Sequence, residues 1–163
     1  MRLPLETVDL NGVWEFRSEK TKTWRTCRVP GFYNNILPDI GTDAVFFRYR
    51  RTVNLPAEMH GKALQLDLGA VDDLDVTYVN GVEIGRTGED TEGYWSARRL
   101  YPVPANLTQS GKLTIEVVVE NLRGNGGIAG YARLIKPGGV VKQTAFPYTH
   151  NRAAYHTETH VRW

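Results

Sequence analysis

The chain has a single cysteine, Cys27, so it can form no internal disulfide, and its place between Arg25 and Val29 fits a small buried hydrophobe better than a reactive thiol. No apolar run approaches the ~20 residues of a membrane-spanning helix. Met1-Arg2-Leu3-Pro4 does not open a signal peptide. Charge of either sign is not in surplus: 20 Lys and Arg stand against 18 Asp and Glu, which implies neither a nucleic acid nor a membrane partner. Serine is scarce. Ser18, Ser96 and Ser110 are the only ones, and none sits in the G-x-S-x-G setting of an exposed nucleophile. Long helical periodicity, internal repeats and low-complexity linkers are missing too. What remains is a chain of 163 residues, long enough for one well-buried core and too short for a large catalytic barrel beside it.

The patterning that is present belongs to strands. Leu64, Leu66 and Leu68 alternate with Gln65 and Asp67, the period of two of a strand with one buried face. Val76 and Tyr78, then Val82 and Ile84, flank Asn80-Gly81, and these two residues best tolerate the positive φ angles of a type I′ turn, so Asp75 to Arg86 reads as a β-hairpin. Val13 to Arg17 and Thr23 to Val29 read as the first strands, with Trp14, Phe16 and Val29 inward. Phe46 to Leu55 reads as a long strand with Phe47, Tyr49 and Val53 on one face and Phe46, Arg48, Arg50 and Thr52 on the other. Asp39 to Asp43 is a loop, and Pro56 to Gly61 and Pro104 to Ser110 are turn-like connections. Strands at intervals near ten residues predict an all-β, antiparallel β-sandwich with jelly-roll connections rather than alternating β and α units.

The order LDLGAVDDLDVTYVNGVEIG, an extended passage ending in VPANL, a Gly-Lys turn and an apolar strand resembles the sugar-binding, galactose-binding-like jelly-roll domain at the start of family 2 glycoside hydrolases of the β-galactosidase type. The same domain occurs as an insert in sialate O-acetylesterase-like enzymes, and Asp72-Asp73 and GNGGIAG (Gly124 to Gly130) resemble that version. Leu10 to Phe16 and Val29-Pro30-Gly31 resemble the domain's opening, so the likeness runs from about Leu10 to Leu134. It implies residues 1–135 as the sandwich, residues 136–163 as a tail or final strand, and a fragment or free-standing module that works beside a catalytic domain. By the same analogy its setting is secreted or periplasmic.

Candidate site residues follow from what sugars present. Their apolar C–H faces stack on aromatic rings, and their hydroxyls are read by Asp, Asn or Arg groups. The segment Gly88 to Tyr101 supplies Tyr94, Trp95, Arg98 and Arg99 among acidic residues; if it is extended, alternation buries one of Tyr94 and Trp95 and exposes the other, and sends Arg98 and Arg99 to opposite faces, one to a carboxylate and one to solvent or ligand. Asn121, Arg123 and Asn125 lie in a loop whose equivalent in β-galactosidases approaches the catalytic pocket, but here that loop has no carboxylate. Trp24 and Tyr33 border a third surface, Trp24 reading either as core or as exposed. Asp72, Asp73 and Asp75 have three open roles: holding a turn through backbone amides, touching sugar, or ligating a structural Ca²⁺. Together with Glu89, Asp90 and Glu92 they also offer carboxylates for a glycosidase pair, though strand ends use such residues routinely. His156 and His160 in the tail have the i, i+4 spacing of a zinc pair on a helix, while Thr157 and Thr159 alternate as in a strand packing Tyr155 and Trp163.

Three functions stay in play. The first is a non-catalytic carbohydrate-binding module, needing no cofactor, that is accessory to a glycan-degrading or deacetylating enzyme. The second is a structural accessory domain that packs on a glycosidase or esterase catalytic domain and shapes its pocket without binding sugar. The third, an enzyme in its own right, has the least support in these residues.

Overall fold

A computed structural model of the chain describes residues 7–40 and 46–136. Among them are eleven strands: β1 (Thr7–Asp9), β2 (Gly12–Ser18), β3 (Arg25–Val29), β4 (Phe46–Asn54), β5 (Leu64–Asp72), β6 (Leu74–Val79), β7 (Val82–Thr87), β8 (Arg98–Val103), β9 (Lys112–Glu120), β10 (Gly127–Ile128) and β11 (Arg133–Ile135). Helix is confined to α1, the single turn Tyr33–Ile36, and to 3₁₀ turns at Pro38–Ile40, Ala57–Met59 and Ala105–Leu107.

Two antiparallel sheets face one another. One has six strands in the order β3-β2-β4-β9-β6-β7. In the other, β5 pairs with β11, β10 and β8, and β11 pairs with β1. The chain passes from one sheet to the other at β1–β2, β4–β5, β5–β6, β7–β8, β8–β9 and β9–β10, the repeated crossing expected of a jelly roll. This is the all-β sandwich that the alternation of apolar residues predicts.

The inward faces carry that alternation into the core. Trp14, Phe16, Phe47, Tyr49, Leu113, Ile115, Val117 and Val119 from the six-stranded sheet meet Leu64, Leu66, Leu68, Val103 and Leu134 from the other, all buried. At about 1.5–3 kcal/mol for each large apolar side chain taken from water, these contacts are the main drive for folding. Aromatic rings fill the middle: Phe16 stacks on Phe47 at 5.3 Å between centroids, and Tyr33 tilts against Phe47 at 4.1 Å. Cys27 is buried beside them at 4% exposure, and burial pushes its thiol up to about 12, in keeping with a packing role.

Local chemistry sets the turns. Asn80 and Gly81 have φ of 50° and 79°, as the hairpin requires. Asn80 is fixed further, accepting from the Thr114 amide at 2.8 Å and donating to the Leu107 carbonyl at 3.1 Å. In β5 the pairing with β8 shifts register between Asp67 and Gly69. Gly69 there has φ +63°, and a Cβ on it would lie 2.7 Å from the Gly130 Cα, so two backbones meet where only glycine fits.

Two expectations need correction. β3 begins at Arg25 rather than Thr23, so Trp24 precedes the strand. And residues 88–97 fold as a series of turns, not as an extended segment. The tail with His150, His156 and His160, the strand or zinc pair read there, and most of the loop 39–43 lie outside the described residues.

Candidate functional site

Adjacent arginines at the start of β8 point to opposite faces, as alternation requires, and each finds a carboxylate. Arg99 is fully buried. Its Nε donates to Asp75 Oδ1 at 2.7 Å, one Nη donates to the carbonyls of Tyr94 and of Ala97 (2.8 Å), and the other donates to the Asp73 carbonyl at 2.8 Å. Asp75 accepts in addition from the Tyr101 hydroxyl at 2.9 Å and from Thr77 Oγ1 at 2.8 Å. Burial first, and the Asp75 charge second, hold the Tyr101 hydroxyl above the usual phenol range. Gly85 makes room for this cluster, because a Cβ there would lie 2.2 Å from the Tyr101 ring.

Arg98 lies on the other face, with its side chain half exposed. It donates to Asp67 at 2.8 and 3.2 Å. Arg133 reaches the same carboxylate at 3.1 Å and the Gly69 amide at 3.0 Å completes it. Arg99 is thus the arginine committed to the interior, while Arg98, although paired with Asp67, is the one that reaches solvent.

The three aspartates serve different places. Asp75 belongs to the buried ion pair. Asp73 accepts from the backbone amides of Leu122 at 2.9 Å and Arg123 at 3.4 Å, which is the turn-holding role. Asp72 is fully buried at the end of β5. Among the described residues, no group of three or more His, Cys, Asp or Glu is placed to hold a metal ion.

Consequently one buried guanidinium joins two loops. Arg99 holds the carbonyls of the 88–97 loop and that of Asp73, whose carboxylate holds the start of the 121–126 loop. On the first loop Tyr94 and Trp95, both half-buried, meet edge to face at 5.2 Å, and Trp95 packs against Phe32 and Ala129. On the second, Arg123 is exposed and Asn125 half-buried. Asn121 is buried, donating to the Tyr33 hydroxyl at 2.7 Å and the Gly124 carbonyl at 2.9 Å. Tyr33 is itself fully buried, so it and Asn121 brace the loop from beneath, as Arg99 does, rather than facing a ligand. Trp24 is elsewhere. It is half-buried on the outer face of the six-stranded sheet, with the Arg50 guanidinium 3.8 Å and the Arg17 guanidinium 4.8 Å from its ring centre. Of the residues singled out in the sequence, the structure brings Tyr94, Trp95, Arg123 and Asn125 to the surface of this tied pair of loops. The bracing role of Arg99 was not legible, since its partner Asp75 is distant in sequence.

No protein-family model and no curated protein matches the chain. Solved structures do. The chain is similar to a β-D-glucuronidase of Dictyoglomus thermophilum, with a TM-score of 0.68 and 19% identity over 81% of this chain and 28% of that one. It is similar to a β-D-mannosidase of the same organism (TM-score 0.67, 19% identity, 81% and 23%) and to a β-glucuronidase of an uncultured Clostridium sp. (0.67, 19%, 85% and 31%). The likeness defines the class by fold: an antiparallel β-sandwich of the kind carried as one part of these glycosidases. The chain spans less than a third of each of them. It is the glycosidase side of the resemblance read from the sequence that has these counterparts.

Proposed function

We propose that this chain is a non-catalytic carbohydrate-binding module, accessory to a glycan-degrading enzyme, with Tyr94, Trp95, Arg123 and Asn125 as its ligand-contacting residues. The observation that carries the reading is the buried Arg99, which ties both loops to the β5–β6 corner and so presents aromatic and polar groups in a prearranged form. Prearranged loops bind without a large ordering cost. Rings of Tyr and Trp offer apolar faces to sugar C–H groups, and Arg and Asn offer hydrogen bonds to hydroxyls. The carboxylates Asp67, Asp73 and Asp75 are committed to internal bonds, which speaks against their use as a glycosidase acid and nucleophile.

Titration of the chain with a panel of plant, bacterial and animal glycans, followed by Trp fluorescence, tests the reading. Saturable binding to one class is expected, and Trp95→Ala and Tyr94→Ala should each weaken it by about 1–3 kcal/mol, as for ring stacking on other planar ligands. A folded chain that responds to no glycan would favour the rival reading, a domain that packs on a catalytic partner. Exposed Leu100 (39%) and Val13 (55%) on the sheet surfaces would then be its contacts.

A further inference from the structure

The outer face of the six-stranded sheet is laid out in rows by its register. Phe46, Glu120 and Leu74 stand side by side in the first row, and Arg48, Val118, Val76 and Arg86 in the second. Phe46 is 46% exposed. Between these rows lies a depression of about 200 Å³ lined by the apolar Leu74, Val76 and Val118 and, around them, by Phe46, Glu120, Arg86 and Thr87. That is smaller than the ~300–1,000 Å³ of sites for larger ligands, and suits one small ring.

The outward arginines of β4 and β7, which stand nearest the depression, are matched by glutamates. Arg48 donates to Glu19 at 2.9 Å and to Glu116 at 2.8 Å, Arg50 pairs with Glu15, and Arg86 pairs with Glu83. Glu120, half-buried at the depression, pairs with no cation among the described residues. An aromatic ring, an apolar lining and a carboxylate with acceptor capacity to spare make a surface for a molecule with one C–H face and several donors.

We infer that this depression is a second sugar subsite, built by Phe46 and Glu120, that takes a single neutral or amino-bearing pyranose and rejects a uronic acid. The ring lies on Phe46 and the apolar lining, and Glu120 accepts from its hydroxyl or ammonium group. A sugar carboxylate is repelled by the Glu120 charge, while Arg86 and Arg48, the cations nearest it, are already paired with Glu83 and with Glu19 and Glu116. Thr87 and Gly88 line the depression, and the loop of Tyr94 and Trp95 follows them in the chain. The inference rests on the carbohydrate-binding reading and adds to it a place and a sugar class.

Calorimetric titration of the full chain with the methyl β-glycosides of glucose, glucosamine and glucuronic acid tests it, alongside the variants Glu120→Gln and Phe46→Leu. The expected result is binding of the first two, with glucuronide weaker by about tenfold or more, the effect of one like-charge contact worth about 1.4 kcal/mol. Glu120→Gln should bring the glucuronide within about twofold of the glucoside, while Phe46→Leu, which keeps the apolar contact but removes the ring face, should weaken all of them. Glucuronide binding as well as glucoside overturns the inference. So does glycan binding that is lost in Trp95→Ala yet unchanged in both variants here, which would leave the broader reading intact. Absence of any sugar binding by the folded chain overturns both.

Discussion

A guanidinium with no exposed surface must find acceptors inside the protein, and Arg99 finds four: a carboxylate oxygen of Asp75 and the carbonyls of Tyr94, Ala97 and Asp73. Removing such a cation leaves its partner as an uncompensated buried charge, which costs more than the pair itself contributes. Arg99→Met should therefore destabilise the fold by about 3–5 kcal/mol, read as a lower midpoint in urea unfolding. The double variant Arg99→Met with Asp75→Leu, which removes both charges, should recover a large part of that loss. A single variant as stable as the parent would mean that the pair does not hold the loops. Which arginine of the pair is buried could not be read from the sequence. Alternation separates Arg98 from Arg99, but the choice depends on Asp67 and Asp75, which only the folded sheets bring near.

Elements whose signals are local were legible. Alternation marked β4, β5 and the hairpin of β6 and β7, and the Asn80-Gly81 pair marked its turn, because each depends on residues within a few positions. Elements whose shape depends on distant contacts were not. Trp24 lies before β3 with Arg17 and Arg50 from neighbouring strands over its ring, and the turns of the 88–97 loop are held by an arginine that follows it. The β5 register shift belongs to the same group, since it depends on Gly69 and Gly130 meeting from opposite parts of the chain. There, Gly69→Ala adds a Cβ 2.7 Å from the Gly130 Cα at a φ of +63°. A left-handed non-glycine residue alone costs about 1–3 kcal/mol, and backbone has nowhere to retreat, so the loss should exceed that of Gly81→Ala, where φ is +79° but no atom lies within 4 Å. Thermal unfolding of the two variants side by side checks the order.

For the molecule as a whole, acid is the condition that strikes its ties between strands. Asp67, 3% exposed, joins β5 to β8 through Arg98 and to β11 through Arg133. Burial alone would raise its carboxyl, but the hydrogen bond from Arg98, the Gly69 amide and Arg133 outweigh it and hold the group below its ordinary value. A carboxyl depressed by folding stabilises the native state above its unfolded pKa of about 3.9 and loses that contribution as pH falls through the folded value. Asp67→Asn should thus lower the melting temperature near neutral pH and shrink the difference from the parent as pH falls below about 4. A difference that stays constant down to about pH 2 would count against this role.

The pairing of β1 with β11 also sets a clock. Val8 lies opposite Leu134, so the first strand has no partner in its sheet until almost all of the described chain has been made. At about 5–20 residues per second of synthesis, that wait is on the order of ten seconds, during which the opening residues must be kept from pairing with the wrong neighbour.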